Sequence, residues 1–322
     1  MAPSGQTDTQ TVLEDAGLDP DELRDVALFE RLHPAIQGWW AHQFGDAARR
    51  SGGLFTAPQR AAIPAVADGA NVLVCAPTGA GKTLAAFTSI LDELARSAAA
   101  GALEEGVACV YISPLRSLAN DIDRNLQRPL DAIAAWADAE GVDLAIRQAI
   151  RHGDTETAER RAMVETPPHI LNTTPESLAI LLNAPRFREH LRSVRYVIVD
   201  EIHAVADNKR GTHLSVSLER LSALADSDPL RIGCSATVEP IDRIGAFLGG
   251  IAASGEPREV ELVDARFTRT FDLQLVTPVA DLVTTPRAQI QEAVYDRLHR
   301  LIEAHTNTLV FTNTRSGAER IL

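Results

Sequence analysis

The sequence predicts an α/β fold in which a mostly parallel β-sheet lies between layers of helices. Five short runs are apolar without alternating polar residues, as strands buried on both faces should be. They occupy residues 71–76, 108–113, 169–173, 194–200 and 230–236. Helical stretches separate the runs, and strands that alternate with helices form parallel sheets. Ligands bind beyond the carboxyl ends of such strands, so the loops that follow the runs are the candidate site.

Length and composition indicate a globular protein of two domains. The 322 residues, 45% of them hydrophobic and 23% charged, exceed the roughly 100 to 200 residues of one domain. Changes in composition and residue pattern along the chain set the expected domain boundaries. They are an acidic polar tail over residues 1–26, a first domain over 27–253, a connector over 254–287 and the start of a second domain over 288–322.

Two further segments carry predictions of their own. A helix over residues 27–46 is predicted by five apolar residues at helical spacing, with both tryptophans in the core: Phe29, Leu32, Ile36, Trp39 and Trp40. Near the other end of the chain, a helix over 288–304 should lead into a strand over 308–315, TLVFTNTR. That strand would belong to a second sheet.

The net charge of −13 argues against a generally basic nucleic-acid binder, so any affinity for phosphates needs a local groove. No run approaches the roughly 20 apolar residues of a membrane span, and the N-terminus lacks the features of a secretory signal. We therefore expect a cytoplasmic protein that enters no membrane. Cys75, Cys109 and Cys234 lie far apart in apolar surroundings, which favours buried thiols over a metal site or disulfides.

A glycine-rich segment, APTGAGKT, spans residues 76–83 between the first apolar run and a helix. This setting is the one that a phosphate-binding loop requires, because its backbone N–H groups and the helix N-terminus favour an anion. Lys82 would contact the β- and γ-phosphates of ATP, and the Thr83 hydroxyl would bind Mg²⁺. Ala76 replaces the first glycine of the strict pattern, and the alternative is a glycine-rich turn with a surface lysine. The predicted ATP-binding residues of the loop are Thr78, Gly79, Ala80, Gly81, Lys82 and Thr83.

Two carboxylates end the fourth apolar run. Asp200 stands where an ATPase with a phosphate-binding loop places the carboxylate that holds Mg²⁺. Glu201 can then orient or deprotonate the attacking water. The alternative is that both acids merely cap a turn, and the phosphate-binding loop favours the catalytic interpretation. His203 is either a catalytic relay or a loop histidine satisfied by its neighbours.

Three polar residues at other predicted loops are also candidates. Ser235 and Thr237, in SAT, follow the strand expected over residues 230–234 and could bond to the acidic segment, which would couple chemistry to movement. Gln59, in FTAPQR, carries the donor and the acceptor that reading the N6 and N7 edge of adenine requires. A lone glutamine is more often plain surface.

Two segments where a strand passes into a helix are candidate contacts for a nucleic-acid backbone. SPLRSLAND spans 113–121, and NTTPESLAILL spans 172–182 with Thr174 as N-cap and Pro175 at the first helical position. Uncharged donors and helix dipoles would let an acidic chain bind phosphates, although ordinary helix caps are the alternative. The candidate residues, including two in the basic NKRG loop, are Arg116, Ser117, Thr173, Thr174, Lys209 and Arg210.

In order along the chain, APTGAGKT, SPLRSL, TTPESL, DEIH, SAT and TLVFTNTR resemble the motifs of DEAD/DEAH-type helicases. The phrases around them are similar to the Lhr group of ATP-dependent DNA helicases, from about Pro34 to the chain end. The resemblance implies a RecA-like domain that uses ATP and Mg²⁺, followed by the start of a second RecA-like domain. It also implies that Gln59 reads adenine and that the partner is single-stranded or duplex DNA, or a DNA–RNA hybrid, on which the group generally moves 3′ to 5′ with proposed roles in repair.

Nothing after TLVFTNTR matches the fifth or sixth motif of the family, from which the second domain supplies an arginine to the transition state. We therefore expect either a fragment of a longer product or a truncated protein that is not a motor alone. A helicase is the leading hypothesis. The alternative is a stand-alone ATP- and DNA-binding module that regulates a partner, since no phosphate-acceptor site or guanine-reading motif indicates a kinase or GTPase.

Overall fold

The computed structural model describes residues 20–51, 53–142, 146–236, 238–266 and 272–321. These residues form two compact units, which divide between Arg269 and Thr270.

A seven-stranded sheet forms the centre of the first unit, and every neighbouring pair of its strands is parallel. The spatial order is β3-β4-β2-β5-β6-β1-β7. The predicted apolar runs correspond to β1, β2, β4, β5 and β6, which confirms the parallel α/β fold. The strands are β1 (Asn71–Cys75), β2 (Cys109–Ile112), β3 (Gln148–Arg151), β4 (Ile170–Thr173), β5 (Tyr196–Val199), β6 (Leu230–Ser235) and β7 (Val260–Asp264).

The sequence analysis did not place β3 and β7 in the sheet. Both are edge strands that pair on one side within the described residues, so they lack the continuous apolar character of the central strands. β7 lies inside the range 254–287 that we expected to be a connector, and it pairs with β1 from Asn71↔Val260 to Cys75↔Asp264. The first unit therefore extends beyond residue 253.

Helices cover both faces of the sheet. Alternate residues of β1 enter different cores, because Val72 and Val74 belong to one hydrophobic cluster and Leu73 and Cys75 to the other. α1 to α5 contribute to the first core, and α6, α7, α9 and α10 to the second. The helices of this unit are α1 (Pro20–Arg31), α2 (Pro34–Ser51), α3 (Ala57–Ala67), α4 (Lys82–Ala99), α5 (Arg116–Glu140), α6 (Thr157–Glu165), α7 (Pro175–Leu181), α8 (His203–Ala206), α9 (Lys209–Leu224) and α10 (Ile241–Gly249).

The N-terminal region departs from the expected acidic tail and single helix. Instead of one helix over 27–46, the chain forms α1 and α2, because a proline at 34 disfavours the helical conformation of the residue before it. Both tryptophans are buried in the first core, as predicted. α1 begins within the range assigned to the tail, and its Asp25 is only 4% exposed, so this part of the chain packs on the domain.

In the second unit, α11 (Arg287–Ala304) confirms the predicted helix, and α12 (Arg315–Glu319) follows it. The predicted strand over 308–315 is wrong for this structure, since these residues before α12 are irregular and Leu309 and Phe311 are exposed. A strand needs backbone partners, and the described part of this unit contains no neighbouring strand to supply them.

The three cysteines are buried free thiols, as expected, and burial raises the pKa of Cys75 to about 11. None of the described helices has the length and apolar character needed to cross a membrane.

Asn172 is a buried amide that the fold does not satisfy. It lies in β4 beside Tyr111 of β2 and Ile150 of β3, is fully buried, and has no hydrogen-bond partner among the described residues for either amide atom. Such a group costs roughly 1–3 kcal/mol. Asn172→Val should therefore raise the free energy of unfolding in urea by about 1–2 kcal/mol.

Asn71→Val is the matched control for this prediction. The Asn71 amide accepts from the Arg231 backbone N–H (2.8 Å) and donates to the Glu259 carbonyl (3.0 Å). Its replacement should lower the free energy of unfolding by about 1–3 kcal/mol, because both partners lose a bond. Equal destabilisation by the two substitutions would contradict our account of Asn172.

Candidate functional site

The sheet brings the predicted site segments to one edge. β6 lies between β1 and β5, so the phosphate-binding loop, the acidic segment and Ser235 all lie at the carboxyl ends of adjacent strands. Cys75 and Ser235 are register partners, and the Ile202 backbone N–H donates to the Cys234 carbonyl at 3.0 Å. Burial raises the pKa of both Asp200 and Glu201, and the positive charge of Lys82 opposes this rise.

The predicted phosphate-binding loop joins β1 to α4, which confirms its strand–loop–helix setting. Gly79 (φ 77°) and Gly81 (φ 84°) adopt left-handed conformations that side chains disfavour, and the Ala80 N–H donates to the Pro77 carbonyl at 3.2 Å. α4 begins at Lys82, so its positive N-terminal end faces the loop. This arrangement suits an anion.

The Lys82 ammonium is bound by carbonyls of the phosphate-binding loop. Lys82 is 7% exposed, and its Nζ donates to the carbonyls of Ala76 (2.8 Å) and Pro77 (3.1 Å). Because an ammonium has three donors, one remains for a phosphate oxygen.

Gln59 is buried rather than on the surface, which removes the alternative of a plain surface glutamine. Its Oε1 accepts from the Thr56 N–H (2.8 Å), and its Nε2 donates to the Gly81 carbonyl (3.3 Å). The Thr56 hydroxyl donates to the Ala80 carbonyl at 2.9 Å. The start of α3 therefore touches the phosphate-binding loop, and the Gln59 amide keeps one donor and one acceptor position for a ligand.

Asp200 is held by two protein donors. Tyr111 donates its hydroxyl to Oδ2, and the Glu201 N–H donates to Oδ1 at 2.9 Å. Burial raises the pKa of Asp200, while these bonds oppose that effect. Burial and Asp200 together raise the pKa of Tyr111, so its hydroxyl stays a donor. The Tyr111 ring stacks on Phe87 of α4 with centroids 5.4 Å apart, which fixes its position.

Glu201 has the one non-glycine positive φ found among the described residues, 45°, and this conformation turns its side chain beside His203. His203 Nδ1 lies 3.3 Å from Glu201 Oε2 and 3.2 Å from the Ser235 hydroxyl. Burial, followed by the charge of Asp200, raises the pKa of Glu201, as suits a group that accepts a proton. The structure thus supplies a path from Glu201 to Ser235, and Thr237 lies outside the described residues.

The candidate strand-contact residues differ in what the structure says of them. Thr174 caps α7 by accepting from the Ser177 N–H (3.4 Å), as predicted, and is 5% exposed. Thr173 is fully buried and donates to the Arg151 carbonyl at 2.6 Å. The side chains of Arg116 and Ser117 lie outside the part of the chain that the structure describes. Nucleic-acid contacts by these residues stay predictions.

Arg210 bridges the two strand-contact segments. Its guanidinium donates to both carboxylate oxygens of Glu176 in α7 (2.6 and 3.2 Å) and to the carbonyl of Pro114 in SPLRSL (2.9 Å). This pair lowers the pKa of Glu176. Lys209, which precedes Arg210 in the sequence, is exposed. The expected NKRG loop is instead the start of α9, with Asn208 as its N-cap, and Arg210 connects this helix to both candidate contact segments.

Sequence reasoning missed Tyr111 and Glu176. A tyrosine inside the otherwise aliphatic run ACVYIS was the available signal, because a buried hydroxyl needs a partner. Glu176, in the first turn of α7, had no comparable signal, since an acid there also fits a helix dipole.

The fold and these motifs define a RecA-like domain of the helicase class. The sequence model of the DEAD/DEAH box helicase family matches residues 56–244, more than half of the chain, and the chain belongs to that family. It is 54% identical over 291 residues to the ATP-dependent helicase Lhr-Core of Methanothermobacter thermautotrophicus, covering 90% of this chain and 33% of the relative. It is 45% identical over 271 residues to the Lhr helicase/probable uracil glycosylase of Mycolicibacterium smegmatis, covering 83% and 17%. The chain thus spans a third or less of these relatives' length.

Solved structures agree with the RecA-like fold. The Mycobacterium smegmatis helicase Lhr bound to ssDNA and AMP-PNP superposes with a TM-score of 0.71 at 41% identity, covering 91% of this chain and 35% of that one. The DUF1998 helicase MrfA has a TM-score of 0.64 at 24% identity, covering 91% and 40%, and shows a shared fold.

Gly81 offers a test of the loop geometry. A Cβ at this position would lie 2.4 Å from Gln59 Nε2, in addition to the strain of a left-handed φ. Gly81→Ala should lower the free energy of unfolding by about 1–3 kcal/mol and weaken binding of a fluorescent ATP analogue at least roughly tenfold.

Gly69→Ala is the matched control, because Gly69 has a similar φ of 89° and no described atom beyond its chain neighbours lies within 4 Å of where its Cβ would be. It should lose about 1–2 kcal/mol of stability and keep its affinity for the analogue. Equal loss of affinity in both variants would contradict the role given to the contact between Gln59 and the loop.

Proposed function

We propose that this chain is the ATP- and nucleic-acid-binding part of an ATP-dependent helicase or translocase that acts on DNA. The observation that carries the proposal is the meeting of the phosphate-binding loop, Asp200 and Glu201 at one sheet edge, with Arg210 linking the helix beyond them to two candidate strand-contact segments. The ATP dependence in the Lhr-Core name and the ssDNA and AMP-PNP in the M. smegmatis structure support it.

The residues at the loop can perform distinct parts of ATP hydrolysis. Backbone N–H groups from Thr78 to Gly81 and the Lys82 ammonium bind and orient the phosphates. Glu201, with its raised pKa, holds the attacking water and takes its proton. Lys82 also offsets the negative charge that develops on the phosphate oxygens.

The Thr83 hydroxyl and the Asp200 carboxylate fit Mg²⁺. Magnesium binds through one or two protein oxygens together with phosphate oxygens and water, and Asp200 keeps an unused lone pair on each oxygen. The ion would neutralise charge on the β- and γ-phosphates. Tyr111 and the Glu201 N–H keep the carboxylate oriented toward that position.

Contacts from the acidic segment provide a route for coupling to the nucleic acid. His203 connects Glu201 to Ser235, and α9 carries Arg210, which binds the SPLRSL and TTPESL segments. A change at Glu201 on hydrolysis can thereby reach the segments proposed to hold a strand. Single-stranded or duplex DNA, or a DNA–RNA hybrid, is the proposed partner, and repair the proposed setting. The relatives are bacterial and archaeal, so we propose a cytoplasmic location.

A stand-alone ATP- and DNA-binding module that regulates a partner is the second candidate, because the phosphate-binding loop, Asp200 and Glu201 all lie within the first compact unit. DNA-stimulated ATP turnover by this chain would exclude that module. Turnover that appears only in the complete gene product would support a motor assembled from more than this domain.

Lys82→Ala should impair nucleotide binding, whereas Glu201→Gln should impair ATP hydrolysis. Loss of the ammonium should weaken binding of a fluorescent ATP analogue at least roughly tenfold, because phosphate charge is no longer offset. Glu201→Gln should leave binding by this chain within about twofold and lower turnover of the complete gene product by roughly a hundredfold or more. Normal turnover in Glu201→Gln would refute the role of Glu201. Normal binding of the analogue by Lys82→Ala would refute the role of Lys82.

Binding of single-stranded DNA should weaken as salt rises, since phosphate contacts release counterions. For two to three contacts, affinity measured by fluorescence anisotropy should fall roughly tenfold between about 50 and 200 mM salt. Lys209→Ala should reduce the slope of log affinity against log salt by about 0.7 if the exposed Lys209 contacts a phosphate. A flat salt response would contradict a phosphate-binding groove.

A further inference from the structure

α1 carries a buried carboxylate that the proposed mechanism does not use. Asp25 is 4% exposed and accepts hydrogen bonds from the backbone N–H groups of Leu54 (2.6 Å) and Phe55 (3.1 Å). It also accepts from Nε (2.5 Å) and Nη2 (3.0 Å) of Arg60, in a two-pronged ion pair. A carboxylate is stable in such a buried place only when it is paired and hydrogen-bonded, so the contacts are specific.

These bonds hold the two ends of one short segment. Leu54 and Phe55 immediately precede Thr56, and Arg60 immediately follows Gln59. Asp25 therefore fixes the segment on both sides of the two residues that touch the phosphate-binding loop.

Two neighbouring features keep this arrangement close. A Cβ on Gly53 would lie 2.3 Å from Arg60 Nη2 and 3.1 Å from Asp25 Oδ2, so a side chain there would displace the Arg60 guanidinium. On the other side, the Phe55 ring packs on Trp40 with centroids 4.7 Å apart. The segment is thus held by charge on one side and by aromatic packing on the other.

We propose that Asp25 and Arg60 form a positioning pair that sets how Gln59 presents its amide to the nucleotide base. They control the preference for adenine over guanine nucleotides, whereas affinity for the triphosphate comes from the loop over residues 76–83. The inference rests on the proposed function, because it requires that Gln59 reads the base of a bound ATP.

The geometry separates these two contributions. The carbonyls of Ala76 and Pro77 hold Lys82, and neither of these bonds involves Asp25 or Arg60. The Gln59 amide, in contrast, lies one residue from Arg60. Loss of the pair should therefore misplace the base-reading amide, while the Lys82 ammonium, which the pair does not hold, keeps its place for the phosphates.

Asp25→Asn tests the proposal, because the amide keeps the size of the carboxylate but loses its charge and one acceptor oxygen. Affinities for ATP and GTP are measured by competition against a fluorescent ATP analogue with this chain. We expect affinity for ATP to fall roughly tenfold and affinity for GTP to stay within about twofold, so that the ATP/GTP ratio falls. Arg60→Lys, which keeps the charge but not the two-pronged geometry, should give a smaller fall in the same ratio.

Asp21→Asn is the matched control. Asp21 contacts Nη1 of the same Arg60 at 3.2 Å, but its side chain is 53% exposed. This variant should keep the wild-type ratio, because a surface ion pair contributes little. Thermal unfolding of each variant identifies effects that are only structural. Lower stability with an unchanged ATP/GTP affinity ratio in both Asp25→Asn and Arg60→Lys would overturn the proposal.

Gln59→Ala distinguishes failure of this inference from failure of the proposed function. If wild type prefers ATP and Gln59→Ala loses the preference, while Asp25→Asn and Arg60→Lys keep it, the positioning role alone is overturned. If wild type shows no preference, or Gln59→Ala keeps it, the base-reading role of Gln59 and the positioning role both fail. Parallel, equal losses of ATP and GTP affinity in Asp25→Asn would also overturn the proposal, because the pair would then support the whole site.

Discussion

The parallel pairing of β6 with both β1 and β5 is the constraint on which the site depends. Parallel strands end at the same edge of a sheet, so this pairing sets the phosphate-binding loop beside the acidic segment although more than a hundred residues separate them along the chain. The two hydrophobic cores hold the strands from either face. The backbone positions of the catalytic candidates are therefore set by the sheet. The proposed chemistry therefore depends first on the strand order, because that order brings the side chains of the site together.

Around that edge, polar groups are held mainly by the protein itself. Lys82 rests on two loop carbonyls, Asp200 on a tyrosine hydroxyl and a backbone N–H, and Gln59 on the start of α3 and the loop. Each keeps a donor or acceptor unused. Such a site is organised in advance of its ligand, which reduces the conformational entropy that binding has to remove.

What the sequence predicted and what it missed have physical reasons. Strands buried on both faces produce long apolar runs, and the glycine-rich loop has a distinctive pattern, so the central sheet and the strand–loop–helix setting of that loop were predictable. The edge strands β3 and β7 were not, because half-exposed strands carry mixed residues. Asp25 lies at helical spacing from Leu28, Phe29 and Leu32, and an acid in an apolar stripe indicates a buried partner, but its partner Arg60 is set only by the packing of α1 on α3. The bridge from Arg210 to Glu176 likewise depends on tertiary structure.

The backbone of Glu201 has an evolutionary consequence. A left-handed conformation costs a residue with a side chain roughly 1–2 kcal/mol, and glycine would adopt it without that cost. Selection for thermal robustness alone would therefore favour glycine at this position, and selection for turnover would oppose it. If Glu201 has the proposed role, lineages that still depend on hydrolysis should retain the acid there, and lineages released from that dependence should be free to lose it.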